Sequence, residues 1–95
     1  MTKVIFKILE GEVIALFPEL AGDNNPYRTV LSYMHVGQHS AASVELSKLK
    51  SATPEKYMPL FYELAGQGYT DLKIVKRFSR NDLQKRIAQT DIKEN

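Results

Sequence analysis

Apolar and polar residues alternate along short stretches of the chain, and this pattern predicts β-strands. In VIFKIL (Val4–Leu9), alternate apolar side chains fall on one face. A second apolar run, EVIALF (Glu12–Phe17), follows directly after Glu10 and Gly11, so the two runs predict a hairpin closed by a glycine-containing turn. The second run is apolar on both faces, which is typical of a central strand covered on both sides or shielded by a partner chain.

Two further stretches predict strands, and the segment after the first of them is ambiguous. TVLSYMHV (Thr29–Val36) is rich in β-branched and aromatic residues and ends at Gly37. DLKIVKRF (Asp71–Phe78) alternates in the same way, and its internal lysine indicates that its end lies near a sheet edge. Residues 37–52 fit either a helical turn or a short strand.

The segment TPEKYMPLFYELAGQGY predicts a helix. Thr53 is a candidate N-cap, and Pro54 suits the first helical position, where its missing N–H costs nothing. Apolar residues recur at helical spacing and form a core-facing stripe. Pro59 removes a backbone hydrogen bond, so we expect it to kink the first turn or to move the regular start to Met58.

A second helix is predicted after Ser79. Ser79 and Asp82 have the spacing of a capping pair. Leu83 and Ile87 form a thin apolar stripe, so we expect this helix to be docked at its start and frayed over residues 88–95.

This order of elements predicts an α+β architecture. Strand, strand, strand, helix, strand and helix follow one another without a linker or an internal repeat, which indicates a single domain over residues 1–95. We expect one antiparallel-rich sheet of about four strands, in the order β-β-β-α-β-α, covered by helices.

Composition narrows the class of protein. Hydrophobic residues make up 43% and charged residues 25% of the 95 residues, which is ordinary for a soluble domain. Cysteine is absent, which excludes disulfides and a thiol nucleophile. The longest apolar run, Val13–Phe17, is far shorter than the roughly 20 residues of a membrane span, so we expect a cytoplasmic protein with no membrane contact.

Positive charge is concentrated near the C-terminus. The net charge is +2, which by itself implies no polyanion partner. Six basic residues nevertheless lie close together, and they are Lys73, Lys76, Arg77, Arg80, Lys85 and Arg86. They fit either solvated strand and helix faces or, if they share one surface, a weak nucleic-acid site.

The stretch SYMHVGQHSAAS contains both histidines of the chain, His35 and His39. Four residues of extended chain span roughly 13 Å, too far for one metal ion, although a sharp bend at Gly37 would bring the imidazoles closer. No oriented base, nucleophile elbow or phosphate loop is recognisable. We therefore assign no catalytic residue, metal or cofactor; a small metal-dependent or His-based enzyme using His35 and His39 is the alternative.

Our favoured interpretation is a non-enzymatic binding or accessory module. Its predicted surface combines the end of the third strand with the long polar loop after the second, and its residues are Tyr33, His35, Gln38, His39, Asn24 and Asn25. The partner would be a protein or a nucleic acid, and a second copy of the chain could cover an open sheet edge. The competing explanation is structural, because these polar groups can satisfy backbone groups where a strand ends.

Four pieces of the chain resemble a known group of proteins: VIFKILEGEVIALFPEL, SYMHVGQHSAAS, ATPEKYMPLFYEL and GYTDLKIVKRFS. They are similar to small uncharacterised bacterial proteins that also occur in phage and mobile-element genomes, and the combination of GEVIALFPE with SYMHVGQH is the most specific part. The resemblance covers about residues 4–79. It implies a compact bacterial cytoplasmic domain and supplies no catalytic residue.

Overall fold

The computed structural model describes residues 1–35, 37 and 39–90, which form one sheet, two α-helices and a 3₁₀-helix. The strands are β1 (Thr2–Leu9), β2 (Glu12–Phe17), β3 (Thr29–Met34), β4 (His39–Ser43) and β5 (Leu72–Ile74). The helices are the 3₁₀-helix (Val44–Lys48), α1 (Pro54–Gly66) and α2 (Arg80–Ala88). Within the described residues, no helix is long and apolar enough to cross a bilayer.

The sheet is open and mixed, with the strand order β4-β3-β2-β1-β5. Strands β1 to β4 pair antiparallel, and β5 runs parallel to β1. The predicted α+β class is confirmed, but the sheet has five strands rather than about four. The additional strand is β4, which occupies part of the ambiguous segment. The chain first meets the outer side of β1 antiparallel at Ser51, and after α1 it returns to that side as β5, now parallel to β1.

The β1–β2 hairpin is closed as predicted. Leu9 pairs with Glu12, and the two turn residues between them, Glu10 and Gly11, have φ angles of 51° and 85°. Two successive positive φ angles match the right-handed twist of the flanking strands, which is why a glycine suits this turn.

The central strand β2 is buried on both faces, as its sequence predicts. On one face, Ala15 and Phe17 pack with Leu60 and Leu64 of α1. On the other, Ile14 and Leu16 join a second cluster, whose partly buried members include Val44, Leu46, Val75 and Phe78. The fold therefore has two apolar layers, one on each side of the sheet.

The segment that contains the 3₁₀-helix crosses the second face from one side of the sheet to the other. It leaves β4 at one edge and reaches β1 near the opposite edge, where the N–H of Ile8 donates to Lys50 (2.9 Å) and the N–H of Ala52 to Phe6 (3.0 Å). This short pairing lies on the same side of β1 as β5 and next to the later residues of β1. The crossing covers one face and places the start of α1 on the other.

Strand β3 is shorter than predicted because a turn begins at His35. The predicted strand ran to Val36, but the N–H of Gly37 donates to the carbonyl of Met34 at 2.8 Å. A Cβ at Gly37 would lie 2.6 Å from that carbonyl oxygen, so the close approach requires glycine. Val36 itself lies outside the described residues.

Helix α1 begins as predicted, with Thr53 as N-cap and Pro54 as the first residue, but two details differ. The side chain of Thr53 makes no capping hydrogen bond, and its backbone carbonyl accepts from Lys56 and Tyr57 instead. Pro59 does not move the regular start to Met58, because the helix runs from Pro54 through Gly66. The reason is local, because a proline in the second turn costs one backbone bond while the core-facing side remains packed on the sheet.

The last part of the chain also differs from the prediction. The strand expected over Asp71–Phe78 forms only at Leu72–Ile74, since Val75 and Phe78 then pack under the second face of the sheet. The capping box between Ser79 and Asp82 is present.

Helix α2 docks through charged residues rather than through its thin apolar stripe. Asp82 and Arg86 are buried, whereas Leu83 and Ile87 are only partly buried. Past the helix, Gln89 accepts from the N–H of Ala21 at 2.8 Å. Of the end predicted to fray, residues 91–95 lie outside the described residues.

Candidate functional site

A connected polar cluster lies where β3 ends under the C-terminal half of α1. The hydroxyl of Tyr33 donates to the carboxylate of Glu63 and accepts from Nε2 of Gln67 at 2.6 Å. Nδ1 of His35 lies 2.5 Å from Oε1 of the same carboxylate. Glu63 lies on α1 and Gln67 is the C-cap of α1; this spacing of four residues directs both side chains toward the end of β3.

The cluster orients the His35 ring. A carboxylate accepts hydrogen bonds, so the proton between His35 and Glu63 is on Nδ1. The imidazole side chain is 71% exposed, so an external group can reach it. The bond to Glu63 raises the pKa of Tyr33, because a phenolate would face a carboxylate; burial acts in the same direction, and the bond from Gln67 opposes it.

His39 belongs to a neighbouring aromatic group rather than to the carboxylate. It pairs with Tyr33 across the β3–β4 ladder, and its ring centroid lies 5.0 Å from that of Tyr33. Nε2 of His39 is 2.7 Å from the hydroxyl of Tyr69, whose ring stacks on Phe17 at 5.1 Å. Burial raises the pKa of Tyr69, which keeps this phenol neutral. The two imidazoles thus have different partners.

The described residues contain no group of three or more His, Asp, Glu or Cys side chains that could hold a metal ion. The described contacts of His35 and His39 also link these rings to Glu63 and Tyr69 rather than to each other.

Beside His35 lies a cavity of about 320 Å³, between the start of β2, the end of β3 and α1. We call it the His35 cavity, and its lining residues are Glu12, Val13, His35, Lys56, Pro59 and Leu60. Leu60 is buried, while Glu12, His35 and Lys56 are exposed. The cavity therefore has an apolar floor, and its rim carries a carboxylate, an ammonium group and an imidazole.

The structure brings some of the predicted binding residues together and separates others. Tyr33, His35 and His39 are neighbours at one end of the sheet, whereas Gln38 lies outside the described residues. Asn24 and Asn25 are at the opposite end of β3, because Asn25 accepts from the first residue of that strand. A six-residue strand is about 17 Å long, so the asparagines do not join the histidines.

The loop that carries the asparagines has a structural role. Asp23 accepts from the N–H of Asn25 at 2.8 Å and from the hydroxyl of Thr29 at 2.6 Å. These bonds lower the pKa of Asp23 and close a turn of the kind that aspartate favours.

The predicted basic segment is divided between solvent and the interior. Five of its residues are exposed, and they are Lys73, Lys76, Arg77, Arg80 and Lys85. Lys85 contacts Glu19 at 2.9 Å. Arg86 is 4% exposed and donates to the carbonyls of Pro26 (2.9 Å) and Pro18 (2.7 Å), so its guanidinium is a structural group.

Sequence reasoning missed the residues that α1 and its C-cap contribute to the site. Glu63, Gln67 and Lys56 all lie on the predicted helix, and their spacing of four and seven residues was a signal that they share one side. What the spacing does not indicate is which strand end that side faces. Tyr69 and Glu12 carry no local signal of this kind.

No protein-family model, curated protein or solved structure matches this chain. Its function is therefore inferred from its own geometry.

Proposed function

We propose that the chain is a small binding module that receives an extended segment of a partner protein at the His35 cavity. The observation that carries this proposal is the position of His35, an exposed imidazole fixed by Glu63 at the rim of a cavity with an apolar floor. Concave apolar sites with a few convergent polar groups are the usual form of binding sites.

The size and charge of the cavity favour a protein segment over a nucleic acid. At about 320 Å³ it is at the lower end of the range for ligand pockets, which suits one or two side chains of a partner. Its rim carries both Glu12 and Lys56, so it offers no concentration of positive charge for phosphates. A partner segment with an apolar side chain next to a hydrogen-bonding group would match both the apolar floor of the cavity and His35.

Selection from a display library of random linear peptides tests the proposal. The affinity of the selected peptides is measured by fluorescence polarisation, and their site is mapped by amide chemical shifts. We expect His35→Ala to weaken binding at least tenfold, which is about 1.4 kcal/mol, with shifts centred on Val13 and Lys56. Asn24→Ala, at the far end of β3, is the matched control and should bind as the unmodified protein does.

Two results would contradict the binding function. One is failure to enrich any peptide over repeated rounds of selection. The other is binding that persists in His35→Ala and maps to a different face of the sheet.

One observation supports a second function, general-base catalysis in the same cavity. An exposed imidazole with one nitrogen held by a carboxylate is the arrangement of an oriented base. The test uses p-nitrophenyl esters as probes. Catalysis requires a rate that saturates with ester concentration and falls in both His35→Ala and Glu63→Gln; a rate that rises linearly, as with free imidazole, excludes it.

The biological setting rests on the sequence. The resemblance to bacterial, phage and mobile-element proteins and the short apolar runs support a bacterial, cytoplasmic binding module.

A further inference from the structure

Strand β4 leaves one edge of the sheet open. It is the last strand on its side, and within the described residues no element pairs with its outer edge. Four of its five residues are exposed, and its sequence, HSAAS, contains no proline, lysine or acidic residue. Natural sheets usually protect an edge with such residues, so β4 has the features of a strand that accepts another strand.

The ladder between β3 and β4 determines which backbone groups point outward. The N–H of Val44 donates to the carbonyl of Arg28 at 2.8 Å, which makes these two residues a hydrogen-bonded pair. Such pairs alternate in an antiparallel ladder, so the next ones are Val30 with Ala42 and Ser32 with Ser40. The other residues of β4 direct their N–H and C=O groups away from β3. They are His39, Ala41 and Ser43.

These outward groups have the spacing that a second β4 needs. If two copies align antiparallel about Ala41, each Ala41 faces the other, and His39 of each copy faces Ser43 of its partner. All three pairs are then hydrogen-bonded pairs on both chains. The opposed side chains are small or uncharged, so no like charges meet across the axis.

The other open edge does not offer the same match. Strand β5 has only three residues, and Lys73 is at its centre. A twofold pairing of β5 would oppose two lysines, which is destabilising.

We propose that two copies of this chain associate through β4, antiparallel and centred on Ala41, to form one continuous sheet. The arrangement is isologous, because the same strand serves both subunits. It is independent of the His35 cavity, which is formed by β2, α1 and the end of β3.

Cross-linking tests both the contact and its register, since the chain has no cysteine of its own. In a hydrogen-bonded antiparallel pair the Cα atoms are about 5.5 Å apart, which suits a disulfide. Ala41→Cys is therefore expected to form a covalent dimer on mild oxidation. Ser43→Cys is the matched control on the same strand. In this register it faces His39 of the other copy rather than a second cysteine, so it should remain mostly monomeric.

Sedimentation velocity over a dilution series tests the non-covalent dimer. We expect a dimer that dissociates on dilution and a dissociation constant at least tenfold larger in Ala41→Lys, which opposes two charges at the axis. Ala41→Pro should act in the same way, because it removes only an outward N–H. Ala88→Lys adds the same charge on α2 and should leave the dimer unchanged.

The proposal is overturned if the unmodified chain is monomeric up to about 1 mM, or if its dimer persists in both Ala41 variants. Equal cross-linking of Ala41→Cys and Ser43→Cys would contradict the register. Circular dichroism of each variant distinguishes loss of pairing from loss of folding.

Discussion

Gly22 is required by a close contact rather than by its backbone angles. It lies in the loop after β2, where a Cβ would be 2.4 Å from the carbonyl oxygen of Val30 and 2.9 Å from the Cα of Ala41. Both neighbours are backbone atoms of the sheet, so they cannot move aside as a flexible side chain would. The loop can approach the sheet only because this residue has no side chain.

Gly22→Ala is therefore expected to lower the free energy of unfolding by about 1–3 kcal/mol, the usual cost of overpacking. Urea denaturation followed by circular dichroism measures the change. Gly66→Ala is the control, since a Cβ there meets nothing within 4 Å. Equal stability of the two variants would contradict the steric explanation.

At the scale of elements, α1 is a helix that tolerates an unfavourable residue. Pro59 occupies the sixth position, where the donor to the carbonyl of Glu55 is missing. Leu60 and Leu64 are buried against the sheet, and Tyr57 stacks on Phe6 with ring centroids 4.6 Å apart. Tertiary packing therefore outweighs the local cost.

Pro59→Ala should stabilise the protein by about 1–2 kcal/mol, because it restores one backbone hydrogen bond and introduces a good helix former. This is the net gain, since alanine also gives the unfolded chain more conformational entropy than proline does. Pro54→Ala is the matched control and should give little or no gain, since the first helical position needs no donor. Thermal and urea unfolding of both variants measure the difference. A destabilised Pro59→Ala would show that the ring's contacts in the His35 cavity matter more than the lost bond.

At the scale of the whole molecule, charged side chains of α2 connect the two ends of the chain. Asp82 is 1% exposed and contacts Nζ of Lys3, on the first strand, at 3.1 Å. Its carboxylate also accepts from the N–H of Ser79 at 2.6 Å. Arg86, one turn further along, closes the loop after β2 through the carbonyls of Pro18 and Pro26. These contacts hold α2 where its apolar stripe is too thin to do so.

The Asp82 contacts predict a pH dependence of stability. Burial acts to raise the pKa of Asp82, but the hydrogen bonds from Ser79 and Lys3 outweigh it, so the net pKa lies below the ordinary value of 3.8. A lowered pKa in the folded state means that ionised Asp82 stabilises the fold above the unfolded pKa, and that this contribution is lost as the pH falls through the folded pKa. The protein should therefore become less stable below about pH 4.

Asp82→Asn should lower the free energy of unfolding at pH 7 by about 2–4 kcal/mol, because it leaves Lys3 and the cap without their carboxylate. It should also flatten the loss of stability below about pH 4. Urea denaturation from acid to neutral pH tests both effects. Asp71→Asn, which removes an exposed carboxylate near the N-terminus, is the control. If it reduces the loss of stability at acid pH as much as Asp82→Asn does, Asp82 is not the cause of that loss.

How far the sequence predicts the candidate site depends on the distance between its parts. Tyr33, His35 and His39 are close in the chain, and their position at a strand end followed from the pattern that stops at Gly37. Glu63 lies 28 residues from His35, and no local pattern relates a helix face to one strand end. Asn24 and Asn25 were grouped with the histidines only by polarity, and a single strand length separates them.

The sequence by itself determined what depends on neighbouring residues: the hairpin turn at Glu10 and Gly11, the twice-covered central strand, the presence of helix α1 and the cap of α2. These follow from periodicity, turn geometry and capping, which act over a few residues. The tertiary structure alone decided the added edge strand β4, the parallel pairing of β5 and the partners of Glu63 and Arg86. Such contacts depend on how the elements pack on the sheet. Whether a charge is buried or a strand is shortened is decided there by side chains that are distant in the sequence.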